Sequence, residues 1–258
     1  MNTIIDEIFL KFDVFLLIFM RISGIFIITP IFSRKNIPMI YKIVISIFFS
    51  LVLVSTVNVE NIRGLQVITV LIKELSIGLL MGFISYLFFI SFFIAGQVID
   101  MQIGFGMVNV FDPQSNAQVP ISGNFYYIMA LLIFLTIDGH HILLTGIIDS
   151  YNIIPINGMV FDESLISLIT KIFGEIFIIG FKISSPVLAT IFIVNVFLGI
   201  LARTMPQMNV FIVGMPLKII VGIVTVIVVM PLYIILVKNI FGHMYEQIQI
   251  LLKILSKG

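Results

Sequence analysis

The chain has 258 residues, 60% of them hydrophobic and 10% charged, with a mean hydropathy of +1.23 and a net charge of +1. An ordinary soluble domain carries about 25% charged residues, so the composition is that of a membrane protein. The lack of any Lys or Arg between Glu74 and Thr170 removes the clustered cations that nucleic-acid binding requires. No cysteine is present, which excludes disulfides, thiolate metal sites, iron–sulfur clusters and cysteine nucleophiles.

The opening MNTIIDEIFLKFDVF places Asp6 and Glu7 where a secretory signal carries positive charge, and no small-residue cleavage site follows, so the segment is expected to be retained. Ile4, Ile5, Ile8, Phe9 and Phe12 share one helical face, as in a segment lying along an interface. Uncharged runs are then read against the roughly 20 helical residues that cross about 30 Å of hydrocarbon. Val14 to Phe32 is a clean run except for Arg21, and Ile43 to Val59 is just long enough. Leu75 to Ile99, Ile183 to Ala202 and Ile219 to Val237 hold 25, 20 and 19 residues. Gly123 to Ile137 and His141 to Ile148 are shorter, and Leu165 to Phe181 contains Lys171 and Glu175. Seven or eight helices follow, about four of them conventional spans. Unpaired backbone is too costly in lipid for anything but helices here, since barrel-type alternation is absent. The tail places Met244, Ile248, Leu251, Leu252 and Leu255 on one stripe, suited to an interface or a partner groove.

Topology does not close by charge counting. Arg34, Lys35 and Lys42 mark one connection as cytoplasmic. The connections at 100–122 and 138–163 carry only acidic charge, although the span count places the first of them on the same side. Either some helices form hairpins that fail to cross, or protein rather than lipid shields the chain. No internal repeat or linker is visible, so residues 1–258 read as one domain.

Within this background a few polar groups stand out. Arg21 lies mid-run, where insertion costs about 2.5–3.5 kcal/mol. It either snorkels or pairs inside protein, with Asp13 a weak candidate and a partner chain a better one. Lys73 and Glu74 open the longest span, and Gly78 and Gly82 after them form a small-xxx-small pattern that lets helices approach. Asp138, His140 and His141 invite a metal or catalytic reading. Adjacent histidines point to different helical faces and cannot chelate as an i, i+4 pair does, so Asp138 and Gly139 read as a turn, with no catalytic, metal or cofactor site. The connection Asp100 to Ser122 has an apolar, glycine-bearing first half: Gly104, Phe105, Gly106, Met107, Val108, Val110 and Phe111. Turn chemistry follows from Asp112 and Pro113. An apolar loop of this kind must be buried in protein or line a cavity, and flexible Met and Phe suit an adaptable constriction. Finally, ARTMPQMNVFIVGMPLK (202–218) interrupts two membrane-grade runs with Arg203, Pro206, Gln207, Asn209, Pro216 and Lys218. The polar groups need company, and the prolines end or kink helices.

Gly199, Arg203, the run Pro206 to Phe211, Gly214, Pro216 and Lys218, together with MRISGIFIITPIF, KELSIGLLMG, GQVIDMQIGFGM, FDP and IDGHH, resemble the FliR family of flagellar export proteins, related to a subunit of virulence injectisomes. The resemblance covers nearly the whole chain. It implies an all-α, non-enzymatic membrane subunit of slanted helical hairpins, without cofactors. Such a subunit is built with FliP and FliQ into the core of the type III export gate in the bacterial inner membrane, with FlhB and FlhA as further neighbours and unfolded flagellar proteins as cargo. It further implies that residues 104–113 constrict the pore. Arg21, Lys73, Glu74, Arg203, Pro206, Gln207, Asn209, Gly214, Pro216 and Lys218 would be the subunit contacts and family motif. The rival reading is a polytopic secondary transporter, with broken helices around Pro206 and Pro216 flanking a midplane solute site.

Overall fold

A computed structural model describes residues 2–33, 37–55, 57, 66–105 and 120–256. Among these the structure is entirely helical, with seven α-helices: α1 (Asn2–Ile28), α2 (Met39–Val54), α3 (Gln66–Ile103), α4 (Ile121–Thr136), α5 (Gly139–Ile153), α6 (Ser164–Thr204) and α7 (Val210–Leu255). Three of them, α3, α6 and α7, are long and apolar enough to cross a membrane, and α4 and α5 form an apolar pair bent by 70°, the form of a broken span or of a re-entrant loop. At about 1.5 Å per residue, the 38, 41 and 46 residues of these helices reach about 57, 62 and 69 Å, roughly twice the hydrocarbon thickness. Charge and proline do not divide them as hydropathy suggests. α6 continues through Lys171, Glu175 and Pro186, and α7 begins at Val210 and continues through Pro216 and Pro231. Of the two expectations for Pro216, that it ends a helix or kinks one, the first does not hold. Pro216 sits within the second turn of α7, and the bonding of its neighbours carries the helix past the one lost donor.

The chain divides into two compact units. The first comprises Met1–Leu87, Asp138–Ile172 and Gly242–Gly258. Its core is made by Leu17, Ile18 and Ile22 of α1, Ile77 and Ile84 of α3, and Leu143 and Ile147 of α5, all buried. The C-terminal stripe Met244, Ile248, Leu251, Leu252 and Leu255 is at most 1% exposed. It fills this core rather than waiting for a partner groove, and the Val160 N–H bonds to the Leu255 carbonyl at 3.0 Å. In the same unit α2 is inside out. Its buried positions are Ser46, Ser50 and Leu53, while Ile40, Val44, Phe48 and Leu51 are exposed. Each serine hydroxyl returns to the carbonyl four residues back, Lys42 at 2.7 Å and Ser46 at 2.6 Å, so the inward face carries no unsatisfied donor.

The second unit comprises Phe88–Ile137 and Phe173–Phe241. Its core is aromatic: Phe241 meets Phe134 at 4.7 Å and Phe89 at 4.9 Å between ring centroids, and Tyr126 meets Tyr233 edge-on at 4.9 Å. The Tyr233 hydroxyl donates to the Tyr126 carbonyl at 2.9 Å, which satisfies the polar end of a buried ring. Away from this core α6 and α7 stay uncovered. Phe177, Phe181, Phe192 and Phe197 on one helix, and Ile220, Val224, Ile227 and Val228 on the other, are exposed.

Candidate functional site

Three polar constellations interrupt the apolar packing. The first begins with glycines. Gly24 of α1 and Gly78 of α3 touch backbone to backbone, and a methyl added to Gly78 would fall on the Arg21 carbonyl. Gly82, one turn further, lies against Ile25 in the same way. Glu74, Gly78 and Gly82 are spaced by four, so they form one stripe on α3, and closure along it brings Arg21 onto Glu74. The Arg21 Nε donates to Glu74 Oε2 at 2.6 Å, and neither side chain has any exposure. Nη1 donates to Ser150 Oγ at 3.0 Å and Nη2 to the Ile154 carbonyl at 3.2 Å. The Tyr151 ring stacks on the guanidinium at 3.9 Å. Glu74 Oε1 accepts the Asn157 N–H at 3.3 Å, and Lys73 Nζ donates to Asn157 Oδ1 at 3.2 Å.

Within this chain Arg21 thus neither snorkels nor looks to Asp13. Burial makes an unpaired charge too costly, and the fork of the guanidinium is filled from two helices, α3 and α5, and the loop that follows α5. Reading the sequence missed Ser150, Tyr151 and Asn157 altogether, since nothing local marks them. The spacing of Glu74 to Gly78 and Gly82 was the available signal for the pair.

The second constellation holds the ends of the connection at 104–119. Gly96 and Gly123 leave no room for a Cβ between α3 and α4, and the buried Asp100 carboxylate accepts the Ser122 N–H through both oxygens, at 3.1 and 3.0 Å. Asp100 therefore caps α4 from a neighbouring helix, supplying an acceptor that Pro120 at the cap position lacks. Gly104 turns the chain out of α3 at φ 99°, a conformation that glycine adopts without strain. Gly104 and Phe105 are half-buried. Gly106, Met107, Val108, Val110, Phe111, Asp112 and Pro113 lie outside the described residues.

The third is the joint between α6 and α7. Met205 N–H closes on the Leu201 carbonyl at 2.8 Å and Met208 N–H on that of Met205 at 3.0 Å. Asn209 Oδ1 then accepts the N–H groups of Phe211 at 3.1 Å and Ile212 at 3.4 Å, so Asn209 is the N-cap of α7. Pro206, Gln207 and Arg203 are exposed, Arg203 in the last turn of α6, where a cation suits the helix dipole. Gly214 meets the Leu198 side chain at 2.9 Å from an added Cβ, so its lack of a side chain draws the two helices together. Beside it a cleft of about 280 Å³ is lined by Ile103, Gly104, Leu198, Gly214 and Lys218 among others.

Asp138 and Gly139 form the turn read from the sequence: α4 stops at Thr136, and Asp138 takes the left-handed conformation at φ 56°, ψ 29° before α5. The histidines depart from expectation. Their rings lie 4.2 Å apart and 36° from parallel, because the first turn of a helix leaves side chains free to fold back beside the cap. The argument that neighbouring histidines must diverge does not hold here.

An all-helical membrane protein with an ion pair sealed in its core and no strand among the described residues is the class that fold and site define. A sequence profile described as "Bacterial export proteins, family 1" matches residues 12–244. The chain is 40% identical to the flagellar biosynthetic protein FliR of Bacillus subtilis over 99% of both chains. It is 28% identical to FliR of Pectobacterium carotovorum over 93% of both, and 27% identical to FliR of Aquifex aeolicus over 90% of both. The chain belongs to this family, the FliR family of the flagellar export apparatus. Its relatives are named as biosynthetic and export proteins, not as enzymes.

Proposed function

We propose that the chain is a structural and gating subunit of the flagellar type III export gate, acting as a single domain. In this reading it forms, with FliP and FliQ, the channel through which unfolded flagellar proteins leave the cytoplasm, beside FlhB and FlhA in the bacterial inner membrane at the basal body. The observation that carries the reading is similarity to a named FliR over 99% of both chains. The geometry supports it: α6 and α7 carry exposed Phe and Ile far in excess of what one crossing of a bilayer needs, which neighbouring subunits and lipid would cover. The pinned ends at Asp100 and Ser122 give the apolar connection at 104–113 a fixed base from which to constrict a pore. Arg203, Gln207 and Lys218 are left as contacts toward neighbouring subunits.

The solute-transporter reading has no matching observation. Glu74 and Asp100, carboxylates suited in principle to couple an ion, are taken up by Arg21 and by the Ser122 N–H. The test of the export reading is deletion of the gene with complementation, scored by flagellin export and motility, together with co-purification with FliP and FliQ. Normal export without the chain, or no co-assembly, overturns it.

A further inference from the structure

Among the described residues, one group brings three metal-type donors together outside the constellations above: Asp138, His140 and His141 each place one donor atom within 4.8 Å of the other two. We propose that these residues bind a divalent transition-metal ion of the zinc type at the start of α5.

Asp138 occupies the left-handed region, which costs a non-glycine residue energy, and from there its carboxylate reaches His141 Nδ1 at 3.5 Å. With metal–ligand bonds of about 2.0–2.1 Å, the edge between two ligands of a tetrahedral site is ~3.3 Å, so this pair already stands at the spacing that a shared ion imposes. The third donor is His140, whose ring is stacked on that of His141. The His140 Nδ1 is buried and has no hydrogen-bond partner among the described residues. A buried ring nitrogen left without a partner calls for an explanation such as an ion. The Asp138 and His141 side chains are 73% and 67% exposed, which gives an ion access and lets the set close by side-chain rotation alone.

Donor chemistry selects the ion. Two imidazoles and one carboxylate suit zinc, nickel or copper, whereas magnesium and calcium prefer all-oxygen shells. The positive end of α5 opposes a cation at this place. The Asp138 carboxylate offsets that field while serving as a ligand. Three protein donors leave at least one position for water or a further ligand. The inference uses only this chain's own geometry and stands whether or not the export reading holds.

The test uses the untagged full chain, alone in detergent and within its complex, titrated with Zn²⁺ against a chromophoric chelator at neutral pH. The expected result is one zinc per chain at micromolar affinity or tighter. Asp138→Asn and His141→Gln should each weaken binding at least about tenfold, in line with losses seen even for residues behind the ligands. The double variant His140→Ala, His141→Ala should abolish stoichiometric binding, and His243→Gln should retain it. Equal binding by the native chain and the double variant, or loss in His243→Gln, overturns the site. If the variants fail to fold by helical circular dichroism, X-ray absorption on the zinc-loaded native chain decides. Two imidazole nitrogens and oxygen in the first shell support the proposal, and a shell without imidazole ends it. A hydrogen-bonded His–Asp pair without metal would appear as no zinc uptake at all.

Discussion

Arg21 and Glu74 stand 53 residues apart in sequence and 2.6 Å apart in space, both without solvent exposure. Removing one member of such a pair leaves the other charged and buried, which costs about 3–5 kcal/mol, whereas replacing both with apolar residues of similar volume is often neutral. Glu74→Leu and Arg21→Met should each lower the unfolding midpoint in detergent and the yield of assembled protein. The double variant should recover most of the loss. A double variant as poor as the worse single one would show that the pair contributes through its hydrogen bonds to Ser150 and Ile154 and not by mutual neutralisation.

The glycine stripe makes a sharper comparison. Gly78→Ala places a methyl on the Arg21 carbonyl, whereas Gly199→Ala meets nothing within 4 Å. The first should separate α1 from α3 and destabilise strongly. The second should be neutral or stabilising by up to about 1 kcal/mol, the helix preference for Ala over Gly. Thermal unfolding of the two variants side by side checks this.

Asp100→Ala removes the acceptor that holds the start of α4, at a cost of about 1 kcal/mol if it behaves as an ordinary helix cap. On the proposed constricting role of residues 104–113, its effect on sealing should be larger than its effect on stability. Ion conductance of the assembled complex in planar bilayers is the measurement. Replacing Met107, Val108 and Phe111 with Ser should raise conductance further, and an unchanged current in both cases would place the seal elsewhere.

At the α6–α7 joint two amides that look alike in sequence should separate. Asn209→Ala loses the cap of α7 and should reduce stability by about 1 kcal/mol. Gln207 is exposed, so Gln207→Ala should leave unfolding unchanged and act, if anywhere, on co-purification with the partner subunits.

How much of this could be read from the residues depends on distance along the chain. The helical class, the joint around Pro206 and the turn at Asp138 were legible, because lipid-grade runs and turn residues are local signals. The C-terminal stripe was legible as a stripe, but its destination was not, since periodicity shows that a face is apolar and never what covers it. Hydropathy divided α6 at Lys182 and began the last run at Ile219, where in both places backbone hydrogen bonding continues. The partners of Arg21 lie 53 to 133 residues away, and no spacing rule reaches that far. The convergence of His140 and His141 depends on rotamers in a first helical turn, which sequence does not specify.

The order in which the Arg21 cluster is completed is also an order in time. Arg21 leaves the ribosome first, Glu74 follows 53 residues later, and Ile154 only after 133. At synthesis rates of about 5–20 residues per second, the guanidinium waits roughly 3–11 s for its counter-ion and roughly 7–27 s for its last acceptor. Through that interval Arg21 lacks the groups that neutralise and bind it in the folded chain, and a bare charge of this kind is one that hydrocarbon rejects.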